Sequence, residues 1–138
     1  MKDLKFILVD DNEAFRKVLR DLLVTQYNAE IIAEASSAEE MSHISNIQIA
    51  DVILMDVMMP GESGIELTKK LLWFVDSNLK IIAVTLHTDN VYLTSLIEAG
   101  FKGCIFKNEL TSQLDFALNS VMAKRLYFPE DILLRRNF

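Results

Sequence analysis

Cysteine is almost missing from this chain: Cys104 stands alone, so no internal disulfide can staple the fold. Histidine is nearly as scarce. His43 and His87 have neither cysteines nor the close spacing of a zinc site, and His43 reads as a surface residue. No apolar run reaches bilayer length and no signal-peptide pattern is present, which predicts a cytoplasmic protein that spans no membrane. Positive charge is in deficit, with 14 Lys and Arg against 20 Asp and Glu for a net charge of −6. That balance argues against direct nucleic-acid binding by this segment. Internal repeats and low-complexity stretches are absent as well.

What the chain does have is apolar residues, 51% of its 138, enough for the core of one domain. Val52, Ile53, Leu54 and Met55 read as a strand buried on both faces, ending at Asp56 and halted by Pro60, Gly61 and Gly64. Four further runs read as strands. Lys5–Val9 ends in Asp10, Asp11, Asn12 and Glu13; Glu30–Ala35 carries acids and suits a sheet edge; Lys80–Val84 ends in Thr85; Gly103–Phe106 ends in Lys107.

Between these runs the apolar spacing changes to three and four. Phe15, Val18, Leu19 and Leu22 share a face on a helix from Glu13 to about Gln26. Ser36 or Ser37 caps a second helix running to about Ile44, with Glu40 completing a capping box. Ile65, Thr68, Leu72 and Val75 predict a third, on which the adjacent Trp73 and Phe74 cannot both point inward. Leu93, Leu96 and Ile97 mark a fourth, closed by Gly100, and Leu110, Leu114, Ala117 and Val121 a fifth.

Five strands alternating with five helices through short connections predict an α/β fold, a three-layer αβα sandwich on one parallel sheet. If the strand order is 2-1-3-4-5, winding reverses between the first and third strands, and the crevice there gathers Asp10, Asp11 and Asp56. Singly these residues have ordinary readings: Asp10 or Asp11 as a helix N-cap, Asp56 as a turn residue, Lys107 as a solvated lysine. Gathered, the carboxylates repel one another strongly in a partly dry crevice, and a divalent cation relieves the repulsion. Oxygen ligands without imidazole or thiolate favour Mg²⁺, with Mn²⁺ as a substitute. Lys107 and Thr85 are typed and placed to hold a phosphoryl group. Asp56, ionised at neutral pH, could attack the phosphorus of a donor without a general base.

Asp10-Asp11 after the first strand, Asp56 followed by Met59-Pro60 and Gly64 after the third, Thr85 after the fourth and Lys107 after the fifth carry a resemblance. Over about residues 4 to 123 the chain resembles the receiver domains of two-component response regulators. The resemblance implies a flavodoxin-like fold with a receiver domain at 1–123, then a tail or linker start at 124–138 made basic by Lys124, Arg125, Arg135 and Arg136. It implies Asp56 as phosphoacceptor, Asp11, Asp56 and the Met58 carbonyl as Mg²⁺ ligands, and Asp10 acting largely through a bound water. Thr85 and Lys107 would contact the phosphoryl group, and a histidine kinase would donate it, making the chain a signalling switch and not a turnover enzyme. The segment from Gly103 to Pro129, with Tyr127-Phe-Pro-Glu130 and then Ile132-Leu-Leu134, looks like the subgroup whose receivers precede a helix-turn-helix DNA-binding output domain, which this sequence does not contain. Homodimerisation would fit the same subgroup.

Three positions depart from the family pattern. Cys104 stands where an aromatic ring is usual and fills little of its volume, which predicts a smaller or differently routed conformational change. Met58 cannot orient a water, which predicts slow self-hydrolysis, whereas His87 would act the other way if it bonds the attacking water. Two other functional classes compete. A phosphorylation-independent interaction module is favoured by Cys104 alone, and a haloacid-dehalogenase-type phosphatase requires an Asp-x-Asp where this chain has Asp10-Asp11-Asn12.

Overall fold

The computed structural model describes residues 3–135; Arg136 and the side chain of Arg135, both counted in the basic tail, lie outside them. Five strands, β1 (Lys5–Val9), β2 (Glu30–Ala35), β3 (Val52–Asp56), β4 (Ile81–Thr85) and β5 (Gly103–Phe106), form one parallel sheet in the order β2-β1-β3-β4-β5. Around it lie α1 (Glu13–Tyr27), α2 (Ala38–Met41), α3 (Gly64–Phe74), α4 (Asn90–Ala99), α5 (Leu110–Met122) and α6 (Glu130–Arg135). The αβα sandwich read from the sequence is therefore the observed architecture, with a sixth helix added to the expected five.

Strand alternation sorts the core into two layers. Phe6, Leu8, Val52, Leu54, Ile82 and Val84 pack against Leu19 and Leu23 of α1 and Leu114 and Leu118 of α5. Ile7, Val9, Ile53, Met55, Ile81 and Ala83 pack against Met41 of α2, Leu67 and Leu71 of α3, and Leu93 and Leu96 of α4. Each fully buried branched side chain contributes roughly 1.5–3 kcal/mol, so the central strands, covered on both faces, anchor the domain.

Two helix faces differ from the expected ones. On α1, Val18 is 57% exposed, because it sits one residue step, about 100°, around from Leu19, which with Leu23 centres the buried stripe. On α3 the buried residues are Gly64, Leu67, Thr68 and Leu71; Ile65 and Leu72 flank them and Val75 lies beyond the last turn. With the stripe so rotated, Trp73 and Phe74 are both exposed, at 83% and 77%. The second helix is also shorter than expected, one turn ending at Met41. Its capping box is split: Ser37 accepts from Glu40 N–H, while the Glu40 carboxylate accepts from Ser36 N–H.

After α5 the chain returns to the sheet. Cys104 N–H donates to the Tyr127 carbonyl and Tyr127 N–H to the Lys102 carbonyl, both at 2.9 Å. Phe128 and Ile132, 7% and 1% exposed, then enter the layer that holds Leu93 and Leu96 of α4. Residues 127–133 thus form a strap laid along the β5 edge and over α4.

Candidate functional site

Parallel pairing sets the first two carboxylates side by side. The register that matches Val9 with Met55 places Asp10, the next residue, level with Asp56. Asp10 and Asp56 are buried, 3% and 5% exposed, and Asp11 is exposed beside them. One oxygen from each of the three lies within 4.8 Å of the others. Neither Asp10 nor Asp11 caps α1: Asn12 does, accepting from Phe15 N–H at 3.0 Å. The helix-cap reading of the acidic pair is thereby removed.

Lys107, at the end of β5, reaches across the sheet tip. Its ammonium stands 2.9 Å from Asp10 Oδ2 and 3.6 Å from Asp56 Oδ1, and 4.6 Å from the centre of the Phe15 ring. One ammonium thus bridges two of the three clustered carboxylates. Burial first, and then the Asp10 charge, push the Asp56 carboxyl up to about 7 against the opposing pull of Lys107. The cluster carries an electrostatic deficit of one sign, and its donors are all hard oxygens, the set that suits a small divalent cation.

Asp11, Asp56, Met58, Thr85, His87 and Lys107 line one cavity of about 210 Å³. Met58 contributes an exposed side chain, 60% accessible. Gly64 closes the loop after β3: its N–H donates to Val57 O at 2.9 Å, and a Cβ there would collide with the Asp56 carbonyl. Only glycine permits that approach, so the loop after β3 keeps Asp56 at the mouth of the crevice.

Every residue picked from the sequence as a site candidate, Asp10, Asp11, Asp56, Met58, Thr85 and Lys107, is at this one sheet edge. Three neighbours were missed. Arg16 donates to the Asp10 carbonyl at 3.1 Å, bracing the tip of β1, and Phe15 offers its ring to Lys107. Tyr92 of α4 places its hydroxyl 3.2 Å from Thr85 Oγ1, and its ring is 5.0 Å from that of His87. Burial raises the Tyr92 phenol above its ordinary value, against the Thr85 hydrogen bond. The position is set by Asp89, which caps α4 by accepting from Tyr92 N–H at 3.0 Å. An Asp three residues before an aromatic, just past a strand-ending Thr, was the signal available.

Comparison with known proteins gives a consistent result. A family profile described as "Response regulator receiver domain" matches residues 6–119. Response regulator UvrY of Escherichia coli (strain K12) is 32% identical over 126 residues, 91% of this chain and 57% of that protein. Transcriptional regulatory protein DesR of Bacillus subtilis (strain 168) is 29% identical over 128 residues, 92% of this chain and 63% of its own length. The chain therefore spans about three fifths of the curated relatives it matches. Among solved structures, a two-component response regulator of the LuxR family from Aurantimonas sp. SI85-9A1 superposes with a TM-score of 0.85 at 27% identity, covering 96% of this chain and 94% of that one.

Proposed function

The chain belongs to the response regulator receiver domain family, a regulatory family and not one of classical enzymes, and from that premise we propose that it is a phosphoacceptor switch working in the cytoplasm with Asp56 as the acceptor. One observation carries the reading: three carboxylates within 4.8 Å of one another, with Lys107 as the cation bridging two of them. A binding site for something neutral has no use for that electrostatic cost. A site for a divalent cation and a phosphoryl group does.

The ligand set we assign to Mg²⁺ is Asp11, Asp56 and the Met58 carbonyl, with Asp10 acting through water; when bound, the ion supplies positive charge against the phosphoryl oxygens. The chain's own residues do the rest. An Asp56 carboxylate oxygen attacks phosphorus. The bond from phosphorus to the donor's imidazole nitrogen breaks, its electron pair leaves with the imidazole, and an acyl phosphate remains on Asp56. Lys107, 3.6 Å from Asp56 Oδ1, is in reach of the charge that arrives, and Thr85 lines the same cavity. Met58 cannot orient a hydrolytic water, so its side chain favours a long-lived acyl phosphate, whereas His87, which lines the same cavity, acts the other way if it bonds the attacking water.

A histidine kinase is the donor this chemistry calls for. The name transcriptional regulatory protein on one relative supports a transcriptional output, for which the reading takes a helix-turn-helix DNA-binding domain and a homodimeric working form. Incubation with acetyl phosphate and Mg²⁺ followed by intact-mass measurement tests the proposal. A phosphoryl adduct present in the native chain and lost in Asp56→Asn is the expected result; no adduct, or one that persists in the variant, overturns it.

A further inference from the structure

The sheet end opposite the acids carries charge of the other sign. Lys80 stands directly before β4 and Lys102 directly before β5, and the pairing of Ile82 with Gly103 sets the two strand starts side by side. Lys102 N–H donates to the Ile81 carbonyl at 2.8 Å, which fixes the backbone there. The chain leaves α5 through Lys124 and Arg125 and comes back to the same rim, where Tyr127 N–H donates to the Lys102 carbonyl. All four cations line one cavity of about 500 Å³, and no acidic residue is in its wall. Asp76, one position before the wall at Ser77, is tied to its own loop by accepting from Asn78 N–H at 2.8 Å. None of the four cations has an ion-pair partner among the described residues. A chain of net charge −6 has acids in surplus, yet it gathers these positive groups unpaired.

A helix C-terminus attracts cations, which accounts for Lys124 and Arg125 beyond α5. It does not account for Lys80 and Lys102, which come from two strand starts. Nor does it explain the backbone of Lys124, whose φ of 63° is the left-handed conformation in which a helix ordinarily ends on glycine. A lysine is less stable than glycine there, so this charge is kept at some expense to the fold. Clustered cations repel one another, and an anion of several charges relieves the repulsion. Arg125 offers a planar fork matched to phosphate oxygens, and the lysines offer compact charge. Val121 and Leu126 give the wall an apolar part, and Ser77 and Asn78 add neutral hydrogen-bonding groups. The volume is in the range of small-molecule sites.

We infer that this cavity binds a small molecule carrying two or more phosphoryl groups on an apolar or aromatic body, the class of the nucleoside polyphosphates. It lies at the far end of the strands from Asp56 and stands or falls independently of the phosphoacceptor reading. The test uses the full 138-residue chain and follows its amide NMR shifts, with divalent cations left out so that none bridges an anion to the carboxylates. ATP is the probe, and inorganic triphosphate and adenosine separate the charge from the body. ATP should saturably shift Lys80, Lys102 and residues 120–127 while Asp11, Asp56 and Lys107 stay in place. Triphosphate should do the same more weakly, and adenosine alone should do nothing. Lys102→Gln and Arg125→Gln should each weaken ATP binding by about tenfold, the size of one charge-assisted hydrogen bond. Lys124→Gly should bind ATP more weakly and yet melt higher, a split that a merely structural lysine would not produce. No saturable shift with ATP or triphosphate overturns the inference, as do shifts centred on Lys107 or variants that bind like the native chain. Equal affinity for sulfate also overturns it, leaving only a charged rim. A response to a polyglutamate peptide but to neither phosphate probe overturns it in favour of an acidic protein partner.

Discussion

The two halves of the sheet edge make a useful comparison. At the β1 and β3 tips stand three carboxylates, two of them buried, with electrostatic strain written into the fold. At the β4 tip stands Thr85, a neutral hydroxyl held by His87 N–H and Tyr92, and at the β5 tip a single lysine that leans back toward the acids. The same parallel pairing builds both. The difference is that one half stores charge and the other half stores hydrogen bonds that reach outward to α4.

The largest effect is expected where the halves meet. Lys107→Ala should slow phosphorylation from acetyl phosphate by about 10²–10³-fold, the loss usual for one preorganised charge-stabilising group. Timed mass measurement checks it, and a rate within threefold of native would show that the lysine is only a structural counter-ion. Next is the charge stored by the acids. The folded Asp56 pKa of about 7 lies above its ordinary 3.8, so the native state holds a proton that the unfolded chain gives up between those values. Its cost is therefore nil below about pH 4, grows as pH rises toward 7, and is constant above. Asp56→Asn removes it, and urea unfolding without metal should show a gain of about 2–4 kcal/mol at pH 8 that vanishes at pH 4. A gain independent of pH would contradict the charge account.

Mg²⁺ should sharpen the same contrast. At a hundredfold excess over Kd it is expected to add about 2.7 kcal/mol of stability to the native chain. In Asp11→Ala the thermal shift should disappear, and persistence of the shift would place the ion elsewhere. The smallest effect belongs to the neutral half. Tyr92→Phe, which deletes one partly buried hydrogen bond, should cost about 1 kcal/mol with no pH dependence between 4 and 8. A pH-dependent loss would mean that Tyr92 shares in the charge of the cluster.

Where sequence reading succeeded and where it failed follows from the same distinction. The strands were legible because Val52 to Met55 and Ile81 to Val84 are apolar throughout, which only a sheet covered on both faces explains. The rotated face of α3 was not, because Ile65 and Leu72 fit an apolar stripe nearly as well as Leu67 and Leu71 do, and Gly64 decides between them by docking against the Asp56 backbone. The strap was readable only as a string of apolar residues, since its anchors, Cys104 and Lys102, lie more than twenty positions away along the chain.

The order of residue types along this chain by itself determined the alternation of strands and helices, and with it the appearance of Asp10, Asp56, Thr85 and Lys107 at strand tips, because strand periodicity and length are local properties. Only the tertiary structure decided that Lys107 bonds Asp10 more closely than Asp56, that Tyr92 takes the second valence of Thr85, and that residues 127–133 close over α4. The lysine and strap contacts join segments remote in sequence, and distance across a packed core is a quantity no local pattern contains.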